Sequence, residues 1–143
     1  MTPDSTTQGS EVGDSVERRR RICLIDDDAS FRRLADTILA AEGYECVLVE
    51  DLSRASELAR ACQPDIVMMD LRLGQEVDAL QVLLDIAKPG SGTERIPVLV
   101  CTASRDLVQK HQDLLDELGC RTLEKPFNIE DLLAAIRACL ESA

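Results

Sequence analysis

Residues 22–28 read Ile22-Cys23-Leu24-Ile25-Asp26-Asp27-Asp28. A strand covered on both faces has no polar side to show, so it reads as an unbroken apolar run. Here such a run stops abruptly in three aspartates. The pattern recurs downstream: Ile66-Val67-Met68-Met69 runs into Asp70, and Val98-Leu99-Val100-Cys101, entered through Pro97, runs into Thr102. Three buried strands, each ending on a polar residue, set the frame for everything between them.

The intervening segments have helical spacing. Phe31, Leu34, Ala35, Ile38 and Leu39 recur on one face before Gly43 stops the helix. Ser53 is expected to cap a second helix with Ala55, Leu58, Ala59 and Cys62 inside, broken at Pro64. A third carries Leu80, Leu83, Leu84 and Ala87 and ends at Pro89-Gly90. A fourth carries Leu107, His111, Leu114, Leu115 and Leu118 and ends at Gly119. The last, capped by Asn128, uses Ile129, Leu132, Leu133, Ile136 and Leu140. Cys46 to Val49 and Arg121 to Glu124 complete the strands. Their charged or polar character makes them the edges. Five strands alternating with five helices, joined by right-handed crossovers, predict an α/β fold: a flavodoxin-like, doubly wound (βα)5 three-layer sandwich with parallel sheet order 2-1-3-4-5.

Composition narrows the function. A chain of 143 residues that is 45% apolar suits one domain with a real core, and 2% aromatic content makes that core aliphatic. A net charge of −11 argues against direct nucleic-acid binding, which selects clustered cations. The basic run Arg18 to Arg21 is read as a solvated lead-in to the first strand. Residues 1–20 are expected to form a flexible tail and 21–142 the domain. The cysteines, Cys23, Cys46, Cys62, Cys101, Cys120 and Cys139, lack C-x-x-C spacing and mostly sit in apolar runs. They are read as reduced, small hydrophobes in a cytoplasmic protein. No apolar run approaches the ~20 residues of a membrane helix.

In such sheets, ligands bind beyond the carboxyl ends of the strands. The topology therefore gathers Asp26, Asp27 and Asp28, then Asp70, Thr102 and Lys125-Pro126, at one end. Clustered carboxylates repel unless a cation compensates, and all-oxygen donors suit Mg²⁺. A carboxylate nucleophile, a magnesium ion, an ammonium and a hydroxyl fit phosphoryl transfer. Each element alone also has a plainer reading: Asp28 and Ser30 as a helix start, Thr102 as a strand residue, Lys125-Pro126 as a turn.

Leu24-Ile25-Asp26-Asp27-Asp28, Pro64-Asp65-Ile66-Val67-Met68-Met69-Asp70, Val98-Leu99-Val100-Cys101-Thr102-Ala103 and Glu124-Lys125-Pro126-Phe127 together resemble the receiver family of two-component signalling, over about residues 21–142. The resemblance implies that Asp70 accepts a phosphoryl group from a histidine kinase or phosphotransfer protein. It implies Mg²⁺, with Mn²⁺ as a substitute, held by Asp26, Asp27, Asp70 and the backbone carbonyl of Arg72, with Asp26 often acting through water. Thr102 and Lys125 would bind the phosphoryl oxygens, helped by the backbone amides of Arg72 and Ala103. The protein would not be a classical enzyme; self-catalysed acceptance and slow autodephosphorylation are expected, tuned from positions Arg72 and Ser104. It would act on an unidentified downstream protein, as a monomer or weak homodimer, through a face that includes Arg121, Thr122, Glu130 and Arg137.

Three departures stand out. Leu73-Gly74 replaces the family's usual Met-Pro or Leu-Pro. Asp78-Ala79 replaces a following Asp-Gly and is displaced by one residue. Thr122 stands where Tyr or Phe is usual, so an inward-swinging ring coupled to Thr102 cannot operate, and the fourth helix is expected to switch instead. Two rival readings remain within the chemistry: a binding-only receiver, and a haloacid-dehalogenase-type phosphatase using Asp26 in Asp26-Asp27-Asp28-Ala29-Ser30. A flavodoxin-like FMN protein would need a phosphate loop and stacking aromatics that this chain lacks. His111, the only histidine, is read as packing at the rim of a helical core face.

Overall fold

The computed structural model describes residues 19–74 and 77–142. The tail expected over 1–20 lies outside the described residues as far as position 18; Arg19 and Arg20 are exposed. Five strands, β1 (Arg21–Ile25), β2 (Glu45–Val49), β3 (Ile66–Met69), β4 (Val98–Thr102) and β5 (Arg121–Glu124), form one sheet in the order β2-β1-β3-β4-β5. Every pairing is parallel. This is the expected doubly wound α/β sheet, and the unbroken apolar runs are its three central strands.

The helices are α1 (Ala29–Ala41), α2 (Ala55–Cys62), α3 (Ala79–Ala87), α4 (Arg105–Lys110), α5 (Gln112–Glu117) and α6 (Ile129–Glu141). Side chains alternate across a strand, and that divides the core in two. Cys23, Ile25, Val67, Met69, Val98 and Val100 face one cluster, completed by Ala59, Leu83, Ile86 and Leu115 from α2, α3 and α5. Ile22, Leu24, Ile66, Met68, Leu99 and Cys101 face the other, completed by Ala35 and Leu39 of α1 and Leu132 and Ile136 of α6. Both buried clusters are aliphatic; the aromatics Phe31, Tyr44 and Phe127 only pack against the second from its margin.

Several local expectations are corrected. Leu34, Leu84 and Ile129 are exposed at 59%, 41% and 51%. In α1 the buried stripe is carried by Ala35 and Leu39, four apart, and Leu34 falls outside it. Val82, Ile86 and Cys139 carry buried positions that the spacing did not single out. Ser53 does not cap the second helix. Asp51 caps a 3₁₀ turn, Leu52–Arg54, by accepting from the Ser53 amide, and α2 continues from it. The fourth helix is two helices, with the backbone breaking at half-buried His111 (φ −114°, ψ 18°). Asn128 does cap α6, accepting from the Asp131 amide at 2.7 Å.

All six cysteines are free thiols. Burial pushes Cys101 up to about 12. Cys62 is pulled down, first by a hydrogen bond with Cys23 and then by Arg21, while Cys23 is pushed up by the same contact and by burial.

Leu83 is completely buried on α3. Leu83→Ala removes its side chain from the centre of the first cluster and leaves a cavity. The expected cost is about 3 kcal/mol in chemical denaturation; a cost below about 1 kcal/mol would contradict the packing described.

Candidate functional site

The parallel register sets Ile25 level with Met69, Met69 level with Val100, and Thr102 level with Glu124. The residues that follow these strands therefore emerge together at one edge. Asp26 is almost fully buried there, at 1% exposure. Its Oδ2 accepts from Lys125 Nζ at 2.7 Å, and its Oδ1 accepts from the Asp28 amide at 2.9 Å. Asp70, also buried, accepts from the same Lys125 Nζ at 3.1 Å through Oδ2, and from the Arg72 amide at 3.0 Å through Oδ1. One ammonium thus bridges two carboxylates separated by 44 residues in the chain.

Burial raises Asp26 above the ordinary carboxylate range. The Lys125 contact and the Asp28 amide oppose the rise, and the nearby Asp70 charge adds to it. For Lys125, burial alone would lower the pKa. The hydrogen bond and charge of Asp26, then the charge of Asp70, outweigh burial and raise it.

A carboxyl whose pKa is raised on folding contributes stability that is complete below its unfolded value and is lost as pH rises through its folded value. Ionised Asp26 is therefore a cost at neutral pH. In EDTA, the stability of Asp26→Asn relative to wild type is expected to increase as pH rises from the ordinary carboxylate range towards neutrality. Denaturant midpoints across that range provide the check, and a flat or falling difference would refute the assignment of cause.

Thr102 is buried at the end of β4, with its Oγ1 accepting from the Ser104 amide at 3.3 Å. Its carbonyl accepts from the Lys125 amide at 3.0 Å, which ties the end of β4 to the lysine segment. The Lys125–Pro126 peptide is cis. Ala103 is exposed beside Thr102, and the Arg72 side chain is exposed beyond Asp70.

Asp27 is exposed at the mouth. A Cβ placed on Gly74 would stand 4.0 Å from its Oδ2, so the loop after β3 passes close to this carboxylate. Gly74 has φ +88°, a conformation closed to proline, whose ring fixes φ near −65°. That explains Leu73-Gly74: Leu73 is buried in the core and Gly74 turns the chain. The displaced Asp78 caps α3, accepting from the Leu80 amide at 3.0 Å. Residues 75 and 76 of this loop lie outside the described residues.

Asp28 proves to be a helix cap, accepting from the Ser30 and Phe31 amides. Ser104 caps α4 through its Oγ, which accepts from the Leu107 amide at 3.2 Å. Thr122 is exposed on β5 and lines, with Thr102, Ser104, Val108 and Leu123, a cavity of about 190 Å³ between α4 and β5. Arg105 and Glu124 pair across its rim at 2.6 Å.

Two side chains of α1 reach the site without any signal of that contact in the sequence. Arg32 of α1 donates to the Asp26 carbonyl at 2.6 Å, and the Phe31 ring lies 4.0 Å from Lys125 Nζ. Neither belongs to a motif, because each reaches the site from a helix side chain rather than from a strand end.

Among the described residues, no three His, Cys, Asp or Glu side chains converge into a ready-made metal cage. The arrangement is a buried pair of carboxylates with a third at the mouth. That donor set fits Mg²⁺, which keeps several waters and takes one or two carboxylates. Among the same residues, no helix is long and apolar enough to cross a membrane.

Comparison with known proteins identifies the family and the fold. The response regulator receiver domain matches residues 22–137. The chain belongs to the response regulator receiver family of two-component signalling. Curated relatives include the response regulator MprA of Mycolicibacterium vanbaalenii, 35% identical over 84% of this chain and 50% of that protein. The DNA-binding dual master transcriptional regulator RpaA of Synechocystis is 36% identical, over 84% of this chain and 48% of that one. The chain thus spans about half the length of the curated relatives it matches. Among solved structures, the chemotaxis protein CheY4 of Vibrio cholerae aligns with a TM-score of 0.74 at 22% identity, over 86% of this chain and all of that one. A signal receiver domain from Vibrio parahaemolyticus aligns with a TM-score of 0.72 at 26% identity, over 87% of this chain and 92% of that one.

Proposed function

We propose that Asp70 is the phosphoryl acceptor of this receiver, taking the group from a phosphohistidine on a kinase or phosphotransfer protein. The observation that carries this reading is Lys125 bridging Asp26 and Asp70 at 2.7 and 3.1 Å beside the buried hydroxyl of Thr102. In the transfer, an Asp70 carboxylate oxygen bonds to phosphorus, the P–N bond breaks, and the leaving imidazole nitrogen is protonated. Lys125 and Thr102 then meet the phosphoryl oxygens. The Arg72 amide already points at Asp70 Oδ1, and the Ala103 amide follows Thr102.

Asp26, Asp27, Asp70 and the Arg72 carbonyl would hold Mg²⁺ or Mn²⁺, which supplies charge neutralisation for the equatorial oxygens. Asp26 is the less accessible of the two buried carboxylates, at 1% exposure against 8% for Asp70, so an incoming phosphoryl group reaches Asp70 more readily. This speaks against the phosphatase reading. The protein works in the cytoplasm, accepts the group without classical turnover, loses it slowly, and alters its contacts with a downstream protein.

The test is intact mass after incubation with a small phosphodonor such as phosphoramidate, with Mg²⁺ or with EDTA. One labile phosphoryl group is expected with Mg²⁺ and none with EDTA. Equal uptake in both arms would contradict the metal assignment.

A further inference from the structure

The only two phenylalanines in the chain, Phe31 and Phe127, both stand beside the site lysine. Lys125 Nζ lies 4.0 Å from the Phe31 ring centroid, within the range of a cation–π contact. Phe127 meets Phe31 edge-on, with centroids 6.0 Å apart and planes at 80°. This is the favoured T-shaped arrangement, and it fixes the plane of the ring that faces the ammonium. Phe31 belongs to the first turn of α1, which Asp28 caps, so its backbone is anchored directly to the acidic loop.

We propose that Phe31 is a positioning residue for Lys125, with Phe127 as its buttress. The inference rests on the reading of Lys125 as a ligand of the phosphoryl oxygens. An ammonium on a four-carbon stem has many rotamers, and holding it in one place is costly in entropy. Two of its donors go to Asp26 Oδ2 and Asp70 Oδ2. The ring occupies a further side of the ammonium and keeps water from competing there. When a phosphoryl group arrives on Asp70, the ammonium has only to exchange one oxygen for another. The ring neither donates nor accepts a proton and stays put throughout. A purely aliphatic residue at position 31 would fill the same space against the α1–α6 core but would offer the cation no partner.

The experiment compares wild type with Phe31→Leu, Phe31→Tyr and Phe127→Leu. The first readout is the Lys125 ε-methylene proton shift, by NMR on protein with ¹³C-labelled lysine. Ring current from Phe31 is expected to move it upfield in wild type and Phe31→Tyr, and the shift is lost in Phe31→Leu. The second readout is the rate of phosphorylation by phosphoramidate at saturating Mg²⁺. Phe31→Leu is expected to be about fivefold slower, Phe31→Tyr to recover most of the rate, and Phe127→Leu to fall between, with Mg²⁺ affinity within about twofold throughout. Phe31→Leu at the wild-type rate, or Phe31→Tyr as slow as Phe31→Leu, would overturn the proposal alone. A wild-type protein that shows the upfield methylene yet takes no phosphoryl group would overturn the acceptor reading, and this inference with it.

Discussion

Asp70→Asn is expected to lower phosphoryl uptake to below about 1% of wild type while leaving the fold intact. The amide keeps the shape of the carboxylate and its Oδ1 can still accept from the Arg72 amide, while the bond from Lys125 to Oδ2 is lost and Lys125 keeps Asp26 as its partner. The amide lacks the anionic oxygen that must form the new bond to phosphorus. The substitution also removes one of two buried carboxylates that share a single ammonium. The Asp70 charge helps raise Asp26, so Asp26 should ionise more easily in the variant and stability at neutral pH should hold or rise. Intact mass and a denaturation curve on the same sample separate the two effects. Loss of uptake together with a large loss of stability would mean that Asp70 serves the fold rather than the chemistry.

The second large effect is at Lys125. Lys125→Met keeps most of the apolar stem but deletes the charge that both carboxylates use and that stands over the Phe31 ring. Removing a preorganised donor aimed at developing charge typically costs about 10² to 10³ in rate, so phosphorylation should slow by at least about 100-fold. Asp26 would retain only the Asp28 amide as the partner of its buried carboxyl and should be raised further. The variant should therefore regain stability as pH falls and Asp26 protonates. A rate within about threefold of wild type would remove Lys125 from the mechanism.

The parts of the fold legible in the sequence were those under the strongest constraint. Strands covered on both faces tolerate no polar residue, so Ile22 to Ile25, Ile66 to Met69 and Val98 to Cys101 declared themselves and ordered the sheet. The strand-end residues Asp26, Asp70, Thr102 and Lys125 followed from topology, and the structure brings them together. Helix faces were read less well. Leu34, Leu84 and Ile129 satisfy helical spacing yet face outward, because spacing gives a stripe without saying which of its margins the sheet covers. The break at His111 carries no Gly or Pro signal, and the α4–α5 segment bends there without one. Caps are divided: Asn128 and Asp28 behave as their residue types predict, while Ser53 caps no helix, Asp51 caps the 3₁₀ turn before α2, and α2 itself starts without a side-chain cap. The contacts of Phe31 and Arg32 with the site have no local signature, since they depend on the first turn of α1 standing beside Asp26 and Lys125 in the folded chain.

The loop after β3 shows how a departure from a family pattern acquires a physical reason. Gly74 sits at positive φ beside Asp27, and Asp78 starts α3. Neither changes the carboxylates themselves. Thr122, by contrast, leaves a cavity of about 190 Å³ that reaches Thr102 and is rimmed by the Arg105–Glu124 pair.

The central claim is the identity of the acceptor. Borohydride reduces an aspartyl phosphate to homoserine, which marks the modified residue permanently. The protein would be phosphorylated from a phosphohistidine donor with Mg²⁺, reduced, digested and mapped by tandem mass spectrometry. Homoserine at position 70, and nowhere else, is the expected result. Homoserine at position 26, 27 or 28 with Asp70 unmarked would contradict it.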